Sequence, residues 1–280
     1  MPVVALPDLM IEPIVRSALL EDLGRAGDIT AQAVIPTDAR FSGVFRAREA
    51  GVVAGTDCAR LAMTLMGAHF ETILPDGSPI APGDLIARVD GPAAAVLAGE
   101  RVALNLLCHL SGVASQTAKY VAAVAGTGVR IAETRKTMPC LRGLQKHAVK
   151  CGGGINHRFG LDDAILIKDN HIAICGGVTQ ALARARASAG HLVKIEVEVD
   201  SLEQLREALP FAPDVVLLDN FTLDDLRQAV SLAKGKTVLE ASGGVNLTTV
   251  RAIAETGVDV ISIGALTHSA PNFDIGLDAE

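Results

Sequence analysis

From Val129 onward the chain carries six short apolar runs, VRIAET, AILIKD, KIEVEV, VVLLDN, TVLEAS and VISIGA, most of them separated by helical segments. No other feature constrains the fold as strongly. From AILIKD onward the runs begin about 20–30 residues apart, the spacing of βα units. Runs apolar on both faces belong to a parallel sheet covered by helices. Helical spacing is read at Val178–Ser188, Leu202–Leu209, Leu223–Ala233 and Leu247–Glu255. Six such strands, with no Gly-x-Gly-x-x-Gly after the first, favour a barrel over an open dinucleotide-binding sheet. The units share a pattern and no sequence, which excludes a solenoid.

The first hundred or so residues read differently, as a small mixed α and β region. Ile14–Leu23 has helical spacing and stops at Gly24, and Asp28, Ile29 and Thr30 read as a turn. Phe41–Arg48 alternates as a strand, with Phe41, Gly43, Phe45 and Ala47 on one face. Val52–Ala54, Phe70–Leu74 and Leu85–Val89 are further strands, and Thr56 is placed as the N-cap of a helix running to Met66. Ala93–Ala125 is helical in period, with a break expected at Ser111-Gly112, and joins the two halves. The expected fold is α/β: an N-terminal α/β sandwich over residues 1–110 and an incomplete parallel βα barrel over 111–280. The last strand is a candidate to return to the first domain.

Composition removes several function classes. Hydrophobic residues make up 49% of the 280, enough for a sizeable core. Aromatics are 3% with no Trp, and net charge is −7, so neither base stacking nor duplex binding is expected. Five cysteines with no C-x-x-C pair read as reduced thiols in a cytoplasmic protein. The N-terminus lacks a basic leader, and no run is read as long enough to span a bilayer, so no membrane is expected.

Against that acidic background, Val129–His171 holds eight Lys or Arg and only four Asp or Glu. Its cations abut apolar strands, which suggests a pocket for a small polyanion. Polar residues also end the other strands. Arg135, Lys136, His157, Arg158 and Lys168 suit carboxylates or phosphates. Glu198 and Asp219 suit a divalent cation or sugar hydroxyls. Ser242, Gly243 and Gly244, then Gly264 and Ala265, let backbone N–H groups approach a phosphate, with a helix start at Asn246–Leu247 adding its dipole. Arg130, Arg142, Lys146 and Lys150 read as surface or field-setting charges. The residues thus point to a phosphorylated sugar, a divalent cation and an anionic second substrate, and leave the reaction open.

The runs ETRKT, GGGINHR, IKDNH, EVEVD, LLDNF, ASGG and IGALTH, preceded by GDIT and ERVALNLLCHLSG, closely resemble the quinolinate phosphoribosyltransferase family in the same order along nearly the whole chain. The resemblance implies conversion of quinolinate and phosphoribosyl pyrophosphate to nicotinate mononucleotide, pyrophosphate and CO₂, with Mg²⁺, in NAD synthesis. It implies a homodimer with shared sites, in which Arg101 reaches the partner's quinolinate, and leaves higher assembly open. It assigns Thr134, Arg135, Lys136, His157, Arg158 and Lys168 to the substrate anions, with Lys136 and Lys168 also catalytic. Glu198 and Asp219 become catalytic contacts to ribose and Mg²⁺, direct or through water. Ser242, Gly243, Gly244, Gly264, Ala265 and Leu266 become 5′-phosphate loops. Cys140 stands where relatives often have glycine, and His147 where an aromatic is common. Competing readings are the paralogue of molybdenum-transport operons, from which AILIKDNH departs, use of nicotinate as the base, and a non-catalytic binder of phosphoribosyl compounds.

Overall fold

A computed structural model of the chain describes residues 3–280, leaving Met1 and Pro2 outside it. Contacts divide the described residues into two units: residues 3–118, 137–153 and 266–280, and residues 119–136 and 154–265. Residues 137–153 and the chain end belong with the first unit.

The first unit opens with α1 (Asp8–Leu23) and α2 (Ile29–Val34). The expected turn at Asp28 is a helix start, because its carboxylate accepts from Ala31 N at 2.9 Å. Then come β1 (Arg40–Ala47), β2 (Gly51–Val52), α3 (Thr56–Met66), β3 (His69–Thr72), β4 (Pro79–Ile80) and β5 (Leu85–Pro92). The helix α4 (Ala93–Ala123) as far as Ala118, α5 (Arg142–Cys151), α11 (Ala265–His268) from Leu266, and the strand β12 (Ile275–Ala279) follow later in the chain. The main sheet is antiparallel in the order β12-β1-β5-β3, and β12 pairs with β1 from Gly43↔Ala279 to Ala47↔Ile275. Val44 and Phe45 are both buried, so β1 is covered on both faces at mid-strand, and a register shift at Phe45/Arg46 breaks its simple alternation.

Two local expectations are corrected by neighbours distant in sequence. Thr56 does not cap α3; Gly55 precedes it at φ 97° and the cap is Asp76. The Asp76 carboxylate accepts from Gly55 N (2.9 Å), Thr56 N (2.9 Å), Thr56 Oγ1 (2.7 Å) and His147 Nε2 (3.0 Å). Nor does α4 break at Ser111-Gly112: it is one helix of 31 residues. Ser111 Oγ exchanges hydrogen bonds with Ala54 N and O, and a Cβ at Gly112 would collide with the Pro271 carbonyl. Glycine here admits a crossing backbone and does not end the helix. Unbroken, α4 contains a window long and apolar enough to cross a membrane, contrary to the reading from sequence, yet 56% of that window is buried within the protein.

Lys146 is also not a surface charge; it is 3% exposed on α5 beside buried Gln145 and His147. Cys140 adopts φ 63°, a left-handed conformation that glycine takes without steric cost.

The second unit is the barrel. Its strands are β6 (Arg130–Ala132), β7 (Ile165–Ile167), β8 (Ile195–Val199), β9 (Val215–Asp219), β10 (Val238–Ser242) and β11 (Val260–Ser262). They pair in parallel in the order β6-β11-β10-β9-β8-β7. No ladder joins β6 to β7, so the barrel is open there; a lone bridge links Ala132 to Ile155. The helices are α6 (Asp169–Cys175), α7 (Val178–Ser188), α8 (Leu202–Ala208), α9 (Leu223–Ala233) and α10 (Val250–Ala254). Ile195, Val197, Val216 and Leu218 are all 0% exposed, as a sheet packed on both faces requires.

Asp76 generates a prediction. Burial would raise its pKa, but the bonds from His147, Gly55 and Thr56 win and hold it below the ordinary carboxylate range. It therefore stabilises the fold at neutral pH, and that contribution fades as pH falls below about 4. Asp76→Ala should cost about 2–3 kcal/mol at neutral pH, a lost cap plus stranded donors, measured by urea unfolding. A loss no larger in neutral than in acid solution would contradict the assignment.

Candidate active site

Because all six barrel strands run in parallel, their C-terminal ends share one rim. Thr134, Arg135 and Lys136 follow β6, and Lys168 directly follows β7. Glu198 lies near the end of β8 and Asp219 ends β9. Ser242 ends β10 opposite Asp219, and Glu198 stands opposite Leu217 on β9. Lys168 Nζ meets Glu198 Oε2 at 2.6 Å. Thr134 Oγ1 accepts from Lys136 N at 3.1 Å, shaping the turn. The strands are shorter than the apolar runs suggested, so most of these polar residues sit just beyond the ladders, free of sheet geometry.

Behind the rim lies a buried set of charges. Glu133, Glu196 and Glu240 are 0%, 6% and 5% exposed. His157 Nε2 is 3.2 Å from Glu196 Oε2 and 3.5 Å from Glu240 Oε1. Glu133 accepts from His157 N and Asn156 Nδ2, both at 3.2 Å. Glu196 Oε1 and Glu240 Oε1 are buried without a hydrogen-bond partner. Ser262 sits near Glu240 without completing a well-formed bond. Burial first, and the charge of Glu196 second, push the Glu240 carboxyl up to about 7.

The two arginines at this rim oppose one another. Arg158 is held below its ordinary pKa first by burial, then by the like charge of Arg135. Its Nη1 donates to Ala164 O at 3.0 Å, while Nε of both arginines is buried without a partner. Among the described residues neither forms a salt bridge.

The glycine turns are tightly specified. Asn220, at φ 56°, donates its N–H to Ser242 O (2.9 Å) and its Nδ2 to Asp219 Oδ2 (2.8 Å). A Cβ on Gly243, at φ 97°, would collide with the Asn220 side chain. Gly244 is also left-handed, at φ 61°, and open. The helix expected from Asn246–Leu247 begins only at Val250 and has five residues. The N–H groups of Thr248 and Thr249 are already bonded to Asn246 Oδ1, so little helix dipole faces this turn. Leu266 is fully buried in the first unit, which leaves only its backbone for a loop role. Arg101 lies on α4, exposed and without a salt bridge among the described residues.

Three residue groups could hold a cation. Glu198 and Asp219 offer oxygen donors at the rim, as a hard ion requires. His157, Glu196 and Glu240 cluster in the interior, but at hydrogen-bond and ion-contact distances to one another. Asp76, His147 and Cys151 cluster in the first unit, where three of the four Asp76 bonds serve the α3 cap and the fourth joins His147. A cavity of about 360 Å³ opens at the opposite ends of the strands, but its Lys194 pairs with Asp214 and its Arg186 bonds the Phe211 and Ala212 carbonyls.

Sequence reasoning gave no role to Glu133, Asn156 or Asn220, and counted Glu196 and Glu240 only among the polar strand residues that mark the mouth, whereas both are buried. The signal that marked those two was a carboxylate inside an apolar strand, which needs a reason; it did not separate the rim from the interior behind it.

An open parallel βα barrel with cations, carboxylates and glycine turns on one rim defines an anion-handling α/β-barrel protein. Residues 28–111 match the model "Quinolinate phosphoribosyl transferase, N-terminal domain", and residues 113–278 match the corresponding C-terminal domain. The chain belongs to the quinolinate phosphoribosyltransferase family. It is 46% identical over 271 residues to the nicotinate-nucleotide pyrophosphorylase [carboxylating] of Mycobacterium leprae, covering 94% of this chain and 95% of the relative. It is 43% identical over 272 residues to the probable enzyme of that name from Bacillus subtilis, covering 96% and 93%. The crystal structure of NadC from Streptococcus pyogenes superposes with a TM-score of 0.94 at 39% identity, covering 98% of each chain.

Glu240 supplies a pH prediction. Its folded pKa is raised from 4.5 to about 7, so its contribution to stability is present in acid and is lost as pH rises through neutrality. Glu240→Gln mimics the protonated form permanently. Its Tm relative to the parent should be higher at about pH 8 than at about pH 5, by scanning calorimetry. An offset independent of pH would refute the assignment.

Proposed function

We propose that this chain transfers the phosphoribosyl group of phosphoribosyl pyrophosphate to quinolinate, releasing pyrophosphate and CO₂ and forming nicotinate mononucleotide for NAD synthesis. The observation that carries this reading is the Arg135–Arg158 pair: two guanidinium groups that feel one another's charge, each with a buried Nε that no protein acceptor reaches. A pyridine dicarboxylate supplies acceptors for both, and arginine's fork suits carboxylate oxygens. Nicotinate, with one carboxylate, leaves one of the two less well matched.

Thr134 and Lys136 extend the anion-binding run, and the Ser242–Gly244 and Gly264–Leu266 backbones receive the 5′-phosphate. Glu198 and Asp219 orient the ribose hydroxyls. As the bond from the anomeric carbon to pyrophosphate breaks, positive charge develops on the sugar and those carboxylates stabilise it. Lys136 and Lys168 neutralise the departing pyrophosphate. The pyridine nitrogen lone pair forms the new C–N bond, leaving the ring positively charged. That ring accepts the electron pair released when the 2-carboxylate leaves as CO₂, and a proton from water then fills the carbon. Mg²⁺ held by Glu198 and Asp219, directly or through water, would add positive charge toward the pyrophosphate. No protein nucleophile is required, in keeping with Cys58 and Cys151, whose thiols burial pushes well above the ordinary range.

A homodimer completes the reading. Exposed Arg101 serves the partner's site, and Leu9, Leu20, Ile29 and Val34, 64–85% exposed on or beside α1 and α2, offer apolar surface for a second copy. Cytoplasmic placement belongs to the same proposal.

Product formation from quinolinate, phosphoribosyl pyrophosphate and Mg²⁺ tests the reaction, with nicotinate mononucleotide and CO₂ followed together. Turnover with nicotinate alone would overturn it. Arg135→Ala or Arg158→Ala should raise KM for quinolinate by about 10–100-fold. Chelation of Mg²⁺ should abolish turnover. Inactive Arg101→Ala and Lys168→Ala subunits should regain activity on mixing; no recovery despite confirmed exchange would exclude the shared site.

A further inference from the structure

We propose that His157 does not contact the substrate, and that Glu196 and His157 are positioning residues that act together through the placement of Arg158. The inference rests on the quinolinate reading of this rim and goes beyond it.

Both ring nitrogens of His157 are engaged inside the protein. Arg158 N donates to Nδ1 at 2.7 Å. A nitrogen that accepts carries no proton, so the ring hydrogen is on Nε2. That hydrogen faces Glu196 Oε2 at 3.2 Å, with Glu240 Oε1 at 3.5 Å. The ring is thus a strut between the buried Glu196 carboxylate and the Arg158 backbone, with Glu240 as a more distant neighbour. Glu133 fixes the same loop from another side, through His157 N and Asn156 Nδ2. The far end of Arg158 is tied as well, by Nη1 to the Ala164 carbonyl.

The strut serves recognition because an arginine side chain has many rotamers to lose on binding. Holding the Arg158 backbone and guanidinium in advance removes part of that loss. It also keeps Arg158 beside Arg135 despite their like charges. Without the strut, the loop can relieve that repulsion by moving Arg158 away. Glu196 is suited to anchor it: it is 6% exposed on a central barrel strand, paired on both sides by β7 and β9.

Side-chain shape gives the test. In place of histidine, asparagine sets its Oδ1 where Nδ1 stood, and glutamine sets its terminal atom where Nε2 stood. Quinolinate affinity and steady-state constants would be measured on the full-length chain for His157→Asn, His157→Gln, His157→Ala, Glu196→Gln and the Glu196→Gln/His157→Ala double variant. Glu196→Gln should raise KM for quinolinate by about three- to tenfold, with KM for phosphoribosyl pyrophosphate little changed. His157→Asn, which retains the bond to Arg158 N, should lose less than His157→Ala. The double variant should lose little more than His157→Ala alone.

Full additivity, or near-normal binding by His157→Gln with His157→Asn as weak as His157→Ala, would mean direct contact through Nε2 and overturn the proposal. Should His157→Ala fail to fold, the Asn–Gln comparison and Glu196→Gln alone decide in the same way. Arg158→Ala is the separate control. If it binds quinolinate normally, the reading of the rim fails, whatever His157 does.

Discussion

Charge buried inside the barrel is the constraint on which the candidate site depends. Three glutamates occupy an interior that aliphatic residues otherwise fill, and each such charge costs several kcal/mol unless it is paired or protonated. The protein meets this cost in two ways. Glu133 takes hydrogen bonds from the Asn156–His157 segment, Glu196 lies in ion-pair contact with His157, and Glu240 shifts toward its neutral form. The loop that offsets the buried charge is the loop that carries Arg158. Stability of the interior and geometry of the rim are therefore set by the same contacts.

Much of this was legible in the chain. The βα rhythm determined a parallel barrel, since doubly apolar strands at that spacing have few other arrangements. Polar residues at the strand ends located the rim. The illegible parts depended on residues far apart in sequence. Nothing near Thr56 announces that Asp76 will cap its helix, and nothing near Gly112 announces that the Pro271 backbone will cross it. The basic island illustrates the same limit. Its residues 130–136 and 154–171 fall in the barrel unit, while 137–153, including buried Lys146 and His147, fall in the other. Local charge density could not distinguish the two.

Backbone conformation accounts for a second class of residues. Asn220 and Gly243 interlock through left-handed turns on adjacent strand ends, so each limits what the other can be. Cys140 sits in the same conformational region with a side chain present. These positions are constrained by steric exclusion, a different pressure from the charge pairing of the interior, and substitutions there act on loop shape before they act on any ligand.

The pairing of β12 with β1 has a consequence for how the chain matures. β1 is an interior strand of its sheet only because Ile275–Ala279 lies along it. A nascent chain on the ribosome has made β1, β3 and β5 long before that segment emerges, so the partial sheet waits with an open edge while the barrel is being synthesised. Such edges invite pairing with other chains. Cotranslational chaperone capture should accordingly concentrate on that interval, and a fusion that occludes Ile275–Ala279 should reduce yield even though it lies far from the rim in sequence.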